Sequence, residues 1–313
     1  MTGIDPKNGL LIALGLFTVF YLVIVIARVQ KAVNDGEKLS LLLGGPKSVG
    51  YYTVGFVTNF FDTLGIGSYA PTTAIFRRFK IVNDEHIPGT MNIGHTLPTV
   101  VQAIIFTKLV PVDPTTLALM IAAAALGSYI GSGIVAGLPR RSVQWGMGIA
   151  MVAAATLMIL SIGGWMPGGG DLLKLEGTKL GLALLGNFIL GSLMTIGIGL
   201  YAPCMVLIYL LGMTPTAAFP IMMGSCAFLM PVASYRFIKK DSFNIKAMLG
   251  LMIGGLPAVL IAALVVKSLP LTYVKGLVVL VVLYTAYGML RAARENRGVQ
   301  SKVISGGPLS VAE

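Results

Sequence analysis

Uncharged apolar runs of about twenty residues recur along this chain, separated by short clusters of Lys, Arg, Asp and Glu. A helix of that length crosses the roughly 30 Å of bilayer hydrocarbon. Seven runs are long enough for a full crossing, at about 9–27, 87–107, 114–137, 142–162, 216–235, 247–266 and 271–290. The pattern predicts a helix over each, because inside lipid a lone segment satisfies its backbone polar groups only as a helix. Lys275 lies near the start of the last run, where its stem can snorkel. The first run outlasts a signal-peptide core, follows the mixed charges Asp5 and Lys7, and has no small-x-small site after Arg28. It is expected to stay as an anchor.

Two regions, 49–80 and 180–212, do not fit one crossing. As single helices they would run near 48 Å, too long for one span and too short for two. Each is broken in its middle, by Thr63-Leu-Gly65-Ile-Gly67-Ser68-Tyr69-Ala-Pro71 and by Thr195-Ile-Gly197-Ile-Gly199-Leu-Tyr201-Ala-Pro203. Two glycines and a proline can end a helix, turn tightly and start another with Pro in its first turn. Both regions are therefore expected to be re-entrant hairpins with tips at membrane depth. Matching tip positions lie 132 residues apart, as do Pro88 and Pro220, and Met91 and Met223. Leu138-Pro139 and Leu269-Pro270 match at 131.

The expected fold is thus an all-α integral membrane protein with two repeats, each a broken-helix hairpin plus three crossings. An odd number of crossings inverts the second repeat relative to the first. The divisions follow: 1–48 as N-terminal anchor and loop, 49–163 as repeat one, 164–179 as linker, 180–292 as repeat two, and 293–313 as a polar tail.

Composition agrees with lipid as the solvent. Only 11% of residues are charged and 56% are hydrophobic, with mean hydropathy +0.85. Such a chain is neither a soluble enzyme nor a disulfide scaffold, and its two cysteines, Cys204 and Cys226, both fall in uncharged stretches. The net charge of +11 fits basic cytoplasmic loops better than nucleic acid, which is not expected as a partner. With the N-terminus outside and the C-terminus inside, the inner loops hold Arg28, Lys31, Lys38 and Lys47; then Arg77, Arg78 and Lys80; then Arg140 and Arg141; then Arg236, Lys239, Lys240 and Lys246. Nine simple crossings would keep both ends but move the second and third groups outside.

The paired Gly-rich tips, the Pro88–Pro98 stretch, and the Gly127-Ser-Tyr-Ile-Gly131 helix ending in Leu138-Pro139-Arg140-Arg141 resemble the sulfite exporter TauE/SafE family of membrane permeases. The resemblance covers about 49–292. It implies export or uptake of small anions, especially sulfite and organosulfonates, by a carrier in the cytoplasmic membrane. The chain departs from that pattern in its extra N-terminal helix, and in Asp62 and His95, where such proteins tend to have apolar or small residues.

From the residues themselves, the second half of each hairpin starts at depth with unpaired amides, around Ser68 and Tyr69 or around Leu200 and Tyr201. Two positive helix ends facing one cavity suit an anion, and no Arg or Lys lies mid-segment to bind it irreversibly. The competing reading is that the glycines only let helices pack closely. Gly65, Gly67, Gly197 and Gly199 are candidates with Ser68, Tyr69 and Tyr201. Gly67→Leu and Gly199→Leu are expected to damage binding alike. Asn92, His95, Thr96, Thr99 and Ser225, each near a helix proline, are further candidates, with interhelical hydrogen bonding as the alternative for the neutral ones.

Asp62 and His95 are ionisable at membrane depth, which usually marks a pathway or coupling site. An imidazole titrates near working pH and Asp62 can take a proton or a cation, but the two can also simply bond each other or freed backbone. One deep His, one deep Asp and two separated Cys make no metal or triad signature, so neither catalysis, a metal nor a cofactor is expected. A passive anion channel remains open beside the carrier. The bilayer and a small inorganic or organic anion are the expected partners, with a second copy of the chain possible.

Overall fold

A computed structural model describes residues 6–45, 47–83, 85–135, 140–163, 170–194, 199–268 and 270–304. The described residues are almost wholly helical and form no strand, only the isolated bridge Leu172–Met213. Helix α1 spans Pro6–Asn34 and α2 spans Leu39–Gly44. The first broken region forms α3 (Ser48–Thr63) and α4 (Tyr69–Arg78), followed by α5 (Ile87–Leu109), α6 (Pro114–Val135) and α7 (Arg140–Ile162). The second forms α8 (Gly177–Met194) and α9 (Tyr201–Leu210), followed by α10 (Ala218–Lys239), α11 (Ile245–Ser268) and α12 (Leu271–Ile304). Every run expected to cross is helical over its described residues. Residues 7–34, 177–194, 215–239, 245–268 and 276–294 are long and apolar enough to span a bilayer.

Two details differ from expectation. Helix α8 has 18 residues, close to bilayer thickness at 1.5 Å each, so this arm is itself long enough to span. The tail is not irregular from 293: α12 continues to Ile304, since Arg291-Ala-Ala-Arg294-Glu-Asn-Arg297 is a run of good helix formers. Gly197 and Leu138-Pro139 lie outside the described residues.

Hydrogen bonds and ion pairs sort the helix ends into two groups. At one end, Arg28 pairs with Asp241 at 2.8 Å and Lys246 with Glu37 at 3.7 Å. There too Ser242 Oγ donates to the Glu85 carbonyl at 3.2 Å, and the Asn244 amide donates to Thr90 Oγ1 at 2.8 Å. The segment after α4 therefore sits with the end of α1 and the α10–α11 turn. At the other end, the Asp113 amide donates to the Leu173 carbonyl at 2.8 Å and the Thr214 amide to the Leu172 carbonyl at 3.0 Å. Each broken pair returns to the end it came from. Within them, Asp62 of α3 meets Ser68 before α4, and a Cβ on Gly186 of α8 would touch the Leu207 side chain of α9 at 2.8 Å.

The helices pack most closely as α3 with α11, α8 with α6, α5 with α10 and α7 with α12. Small residues permit the first two contacts. A Cβ on Gly254 would overlap the Tyr52 backbone, and one on Gly127 the Phe188 backbone. Gly254→Leu and Gly127→Leu should each destabilise by about 1–3 kcal/mol or more. Gly288→Leu, with open space around it, should be neutral; thermal unfolding in detergent checks all three.

Single cysteines at Asn83 and Lys240 should label from one side of the membrane, and a cysteine at Glu176 from the other. Both native cysteines are buried. Opposite-side labelling of positions 83 and 240 would mean that α4 crosses the bilayer rather than turning back.

Candidate functional site

The break after α3 is set by two glycines in the left-handed region, Gly65 at φ +96° and Gly67 at φ +88°. Such angles disfavour any side chain, so the turn belongs to these residues. A Cβ on Gly65 would strike the Met205 methyl, and Met222 Cε lies 3.6 Å from that position. The first apex therefore rests on α9 and α10.

Asp62, in the last turn of α3, is 3% exposed. Its Oδ1 accepts the Ser68 amide at 2.6 Å, the amide just before α4. Its Oδ2 accepts Gln102 Nε2 from α5 at 2.9 Å, with the Tyr201 hydroxyl of α9 at 3.5 Å. Gln102 Nε2 also donates to Thr63 Oγ1 at 2.9 Å, while its Oε1 accepts the Tyr201 hydroxyl at 3.2 Å. The carboxylate thus faces the positive end of α4 and is held by amide and hydroxyl donors alone. This changes the expected picture of two equivalent helix starts: the first is already met by the protein's own acid. The residue 132 positions on is Met194, so the second start has no such acid.

His95 does not bond Asp62. Its Nδ1 lies 3.1 Å from Asn59 Oδ1 and its Nε2 3.1 Å from Thr72 Oγ1. Asn59 directs its amide nitrogen to the Gly55 carbonyl at 2.7 Å, so its oxygen faces the imidazole. A neutral ring with hydrogen on Nδ1 satisfies both contacts. Asn92 Nδ2 donates to the Tyr69 hydroxyl at 3.1 Å, and Ser234 Oγ donates to Asn92 Oδ1 at 3.0 Å. Thr96 Oγ1 donates to the Asn92 carbonyl at 2.6 Å and lies 3.2 Å from Ser234 Oγ.

Ser68, Tyr69, Asn92, His95 and Thr96 therefore gather around the first hairpin with Asp62, and Tyr201 reaches them from the second. Thr99 is buried on α5. Ser225 serves helix contact instead: it donates to the Ile221 carbonyl at 2.7 Å and accepts Asn187 Nδ2 at 3.1 Å. Cys226 Sγ lies 3.5 Å from Met194 Sδ, and Cys204 is buried on α9. No group of three or more His, Cys, Asp or Glu able to hold a metal occurs among the described residues.

Gln102, Asn59, Thr72 and Ser234 were not among the sequence candidates. Asn59 had a usable signal, since it stands one turn before Asp62 on the same helix face. Gln102 had less: its partners lie 39, 40 and 99 positions away. No family model, curated protein or solved structure matches this chain.

The two apices also differ in backbone. Gly67 and Gly199 both have open space where a Cβ would stand, and of the two it is Gly67, at φ +88°, that lies in the left-handed region. Gly67→Ala should cost about 1–2 kcal/mol from the left-handed angle alone. Gly199→Ala should leave the melting temperature unchanged.

Proposed function

We propose that this chain is a multi-pass permease of the TauE/SafE kind, a secondary transporter of small anions such as sulfite or organosulfonates in the cytoplasmic membrane. Two inverted repeats supply the hairpins, and the anion is held where the apices approach at mid-depth. The basic end faces the cytoplasm, with the N-terminus outside and the C-terminus inside. The observation that carries this reading is the meeting of both apices at one buried polar cluster, through Tyr201, Gln102 and Asp62.

Residue-level matches between the halves support the repeat. Ser68 and Leu200, preceding α4 and α9, have backbone angles of −82°, −25° and −82°, −28°. Lys80 and Gly212, again 132 apart, close these helices at φ +49° and +86°. The following amides, Ile81 and Met213, donate to the Phe76 and Ile208 carbonyls in the same capping pattern. The contact of α3 with α11 has its counterpart in α8 with α6, as inverted repeats require.

Binding follows from charge. First-turn amides of a helix lack intrahelical partners, and those of α9 begin beside Asp62 with no acid of their own. An ionised Asp62 repels an incoming anion, and a protonated one does not. Anion and proton therefore bind together, and flux rises as pH falls. His95 is already satisfied by Asn59 and Thr72, which leaves Asp62 as the coupling group.

Purified protein in liposomes should show saturable uptake and counterflow of at least one of sulfite, sulfoacetate, sulfolactate or thiosulfate. Asp62→Asn should flatten the pH profile between about pH 5 and about pH 8, while His95→Gln keeps its shape. Single-channel currents, or no saturable flux of any of these anions, would overturn the carrier.

A further inference from the structure

Gln102 occupies a special place in the paired arrangement. Counted by 132, its equivalent is Ser234, and each is linked to the apex tyrosine of the hairpin in the opposite half. Ser234 on α10 reaches Tyr69 through Asn92. Gln102 on α5 reaches Tyr201 directly, and the residue matching Asn92 there is Gly224. A long side chain opposite glycine replaces two short ones. Only the Gln102 link also ends on an acid, because Asp62 is matched by Met194 in the other half.

We propose that Gln102 is a positioning residue that makes the protonation state of Asp62, on the first hairpin, felt by Tyr201 at the apex of the second. This deepens the carrier reading and rests on it for the meaning of the hairpins. With Asp62 ionised, both amide hydrogens of Gln102 are used, toward Asp62 Oδ2 and Thr63 Oγ1, and its oxygen accepts from Tyr201. A proton arriving at Asp62 goes to Oδ2, because the donor at Oδ1 is a backbone amide that cannot reverse, whereas the donor at Oδ2 is a side-chain amide that can. A hydroxyl then faces the Gln102 NH2, donor against donor. Half a turn of the amide relieves this: Oε1 accepts the Asp62 hydroxyl, and the NH2 turns to Tyr201. Tyr201 must then accept where it had donated, and the bond to Thr63 is lost. A local proton thus reverses a hydrogen bond on the other hairpin.

Thr99 of α5 also hydrogen-bonds the Tyr201 hydroxyl and the Ser68 side chain also bonds Asp62, so the relay acts on groups that each keep one further partner. Tyr69 from α4, Tyr201 from α9 and Cys226 from α10 are near enough to interact electrostatically with Asp62. His95, on α5, is directed to Asn59 and Thr72. The hydrogen-bond partners of Asp62 are Ser68, Gln102 and Tyr201, none of them cationic.

Amide hydrogen exchange on the full-length protein tests the relay without reading transport. Asp62→Asn places a neutral, donating group where protonated Asp62 would be. In the Gln102 background it should change exchange across residues 199–208 by about two- to tenfold, the scale of one hydrogen bond. In Gln102→Met, which keeps the length but removes donors and acceptor, Asp62→Asn should leave 199–208 unchanged. Tyr201→Phe cuts the same link at its other end and should silence the effect equally, so the test survives if one variant folds poorly. Equal responses of 199–208 to Asp62→Asn with and without the link, or no response with Gln102 intact, would overturn the relay. Intact exchange coupling without anion flux would instead overturn the carrier and leave the relay standing.

Discussion

A helix that ends inside a bilayer exposes amides or carbonyls where no water can meet them, and each unmet group costs several kcal/mol. The centre of this protein is organised around that constraint. Gly65 and Gly67 end α3, and the restart at Tyr69 presents the Ser68 amide in the buried interior. Asp62 meets it at 2.6 Å. That choice creates a second need, because a buried carboxylate requires further donors. Gln102 and Tyr201 supply them from α5 and α9, so satisfying one backbone amide draws two more helices to the first apex.

The same requirement explains how the polar residues divide. Around the first hairpin, donors and acceptors form two sets, Asn59–His95–Thr72 and Tyr69–Asn92–Ser234–Thr96. Positions 132 residues from Asn59, Thr72, His95 and Asn92 hold Gly191, Cys204, Ala227 and Gly224. The second hairpin is therefore packed with small and weakly polar groups. Its helix contact is correspondingly tight: a Cβ on Gly191 would overlap the Ala124 carbonyl. Close approach joins helices in both halves, and the first adds the larger share of side-chain hydrogen bonds; lipid permits both ways of joining helices.

Much of this was legible in sequence because lipid imposes length and polarity rules on each segment separately. The seven runs, the two breaks and the 132-residue spacing needed no knowledge of partners. The turn at Gly65 and Gly67 was legible for the same reason, since only glycine takes those angles freely. What sequence did not disclose was pairing. Asp62 is nearer in sequence to His95 than to Gln102, yet it bonds Gln102 and not His95, and nothing in the spacing says so. Ser225 sits in the same kind of proline-containing helix as Asn92 yet serves α8–α10 contact.

On the proposed repeat, each position has two copies, which differ in what they can hold. At 102 and 234 the divergence is compensatory: Gln102 with Gly224 spans what Ser234 with Asn92 spans in the other half. Replacing two short polar groups by one longer group removes a joint, so the Tyr201 link has one rotatable amide where the Tyr69 link has two side chains. A single amide with donors at one corner and an acceptor at the other has two orientations of opposite polarity. The half with the acid is also the half served by that two-state connector. A titrating group can direct a conformational change only if its two protonation states favour different arrangements of its neighbours. Gln102 is the neighbour here whose arrangement must differ between them.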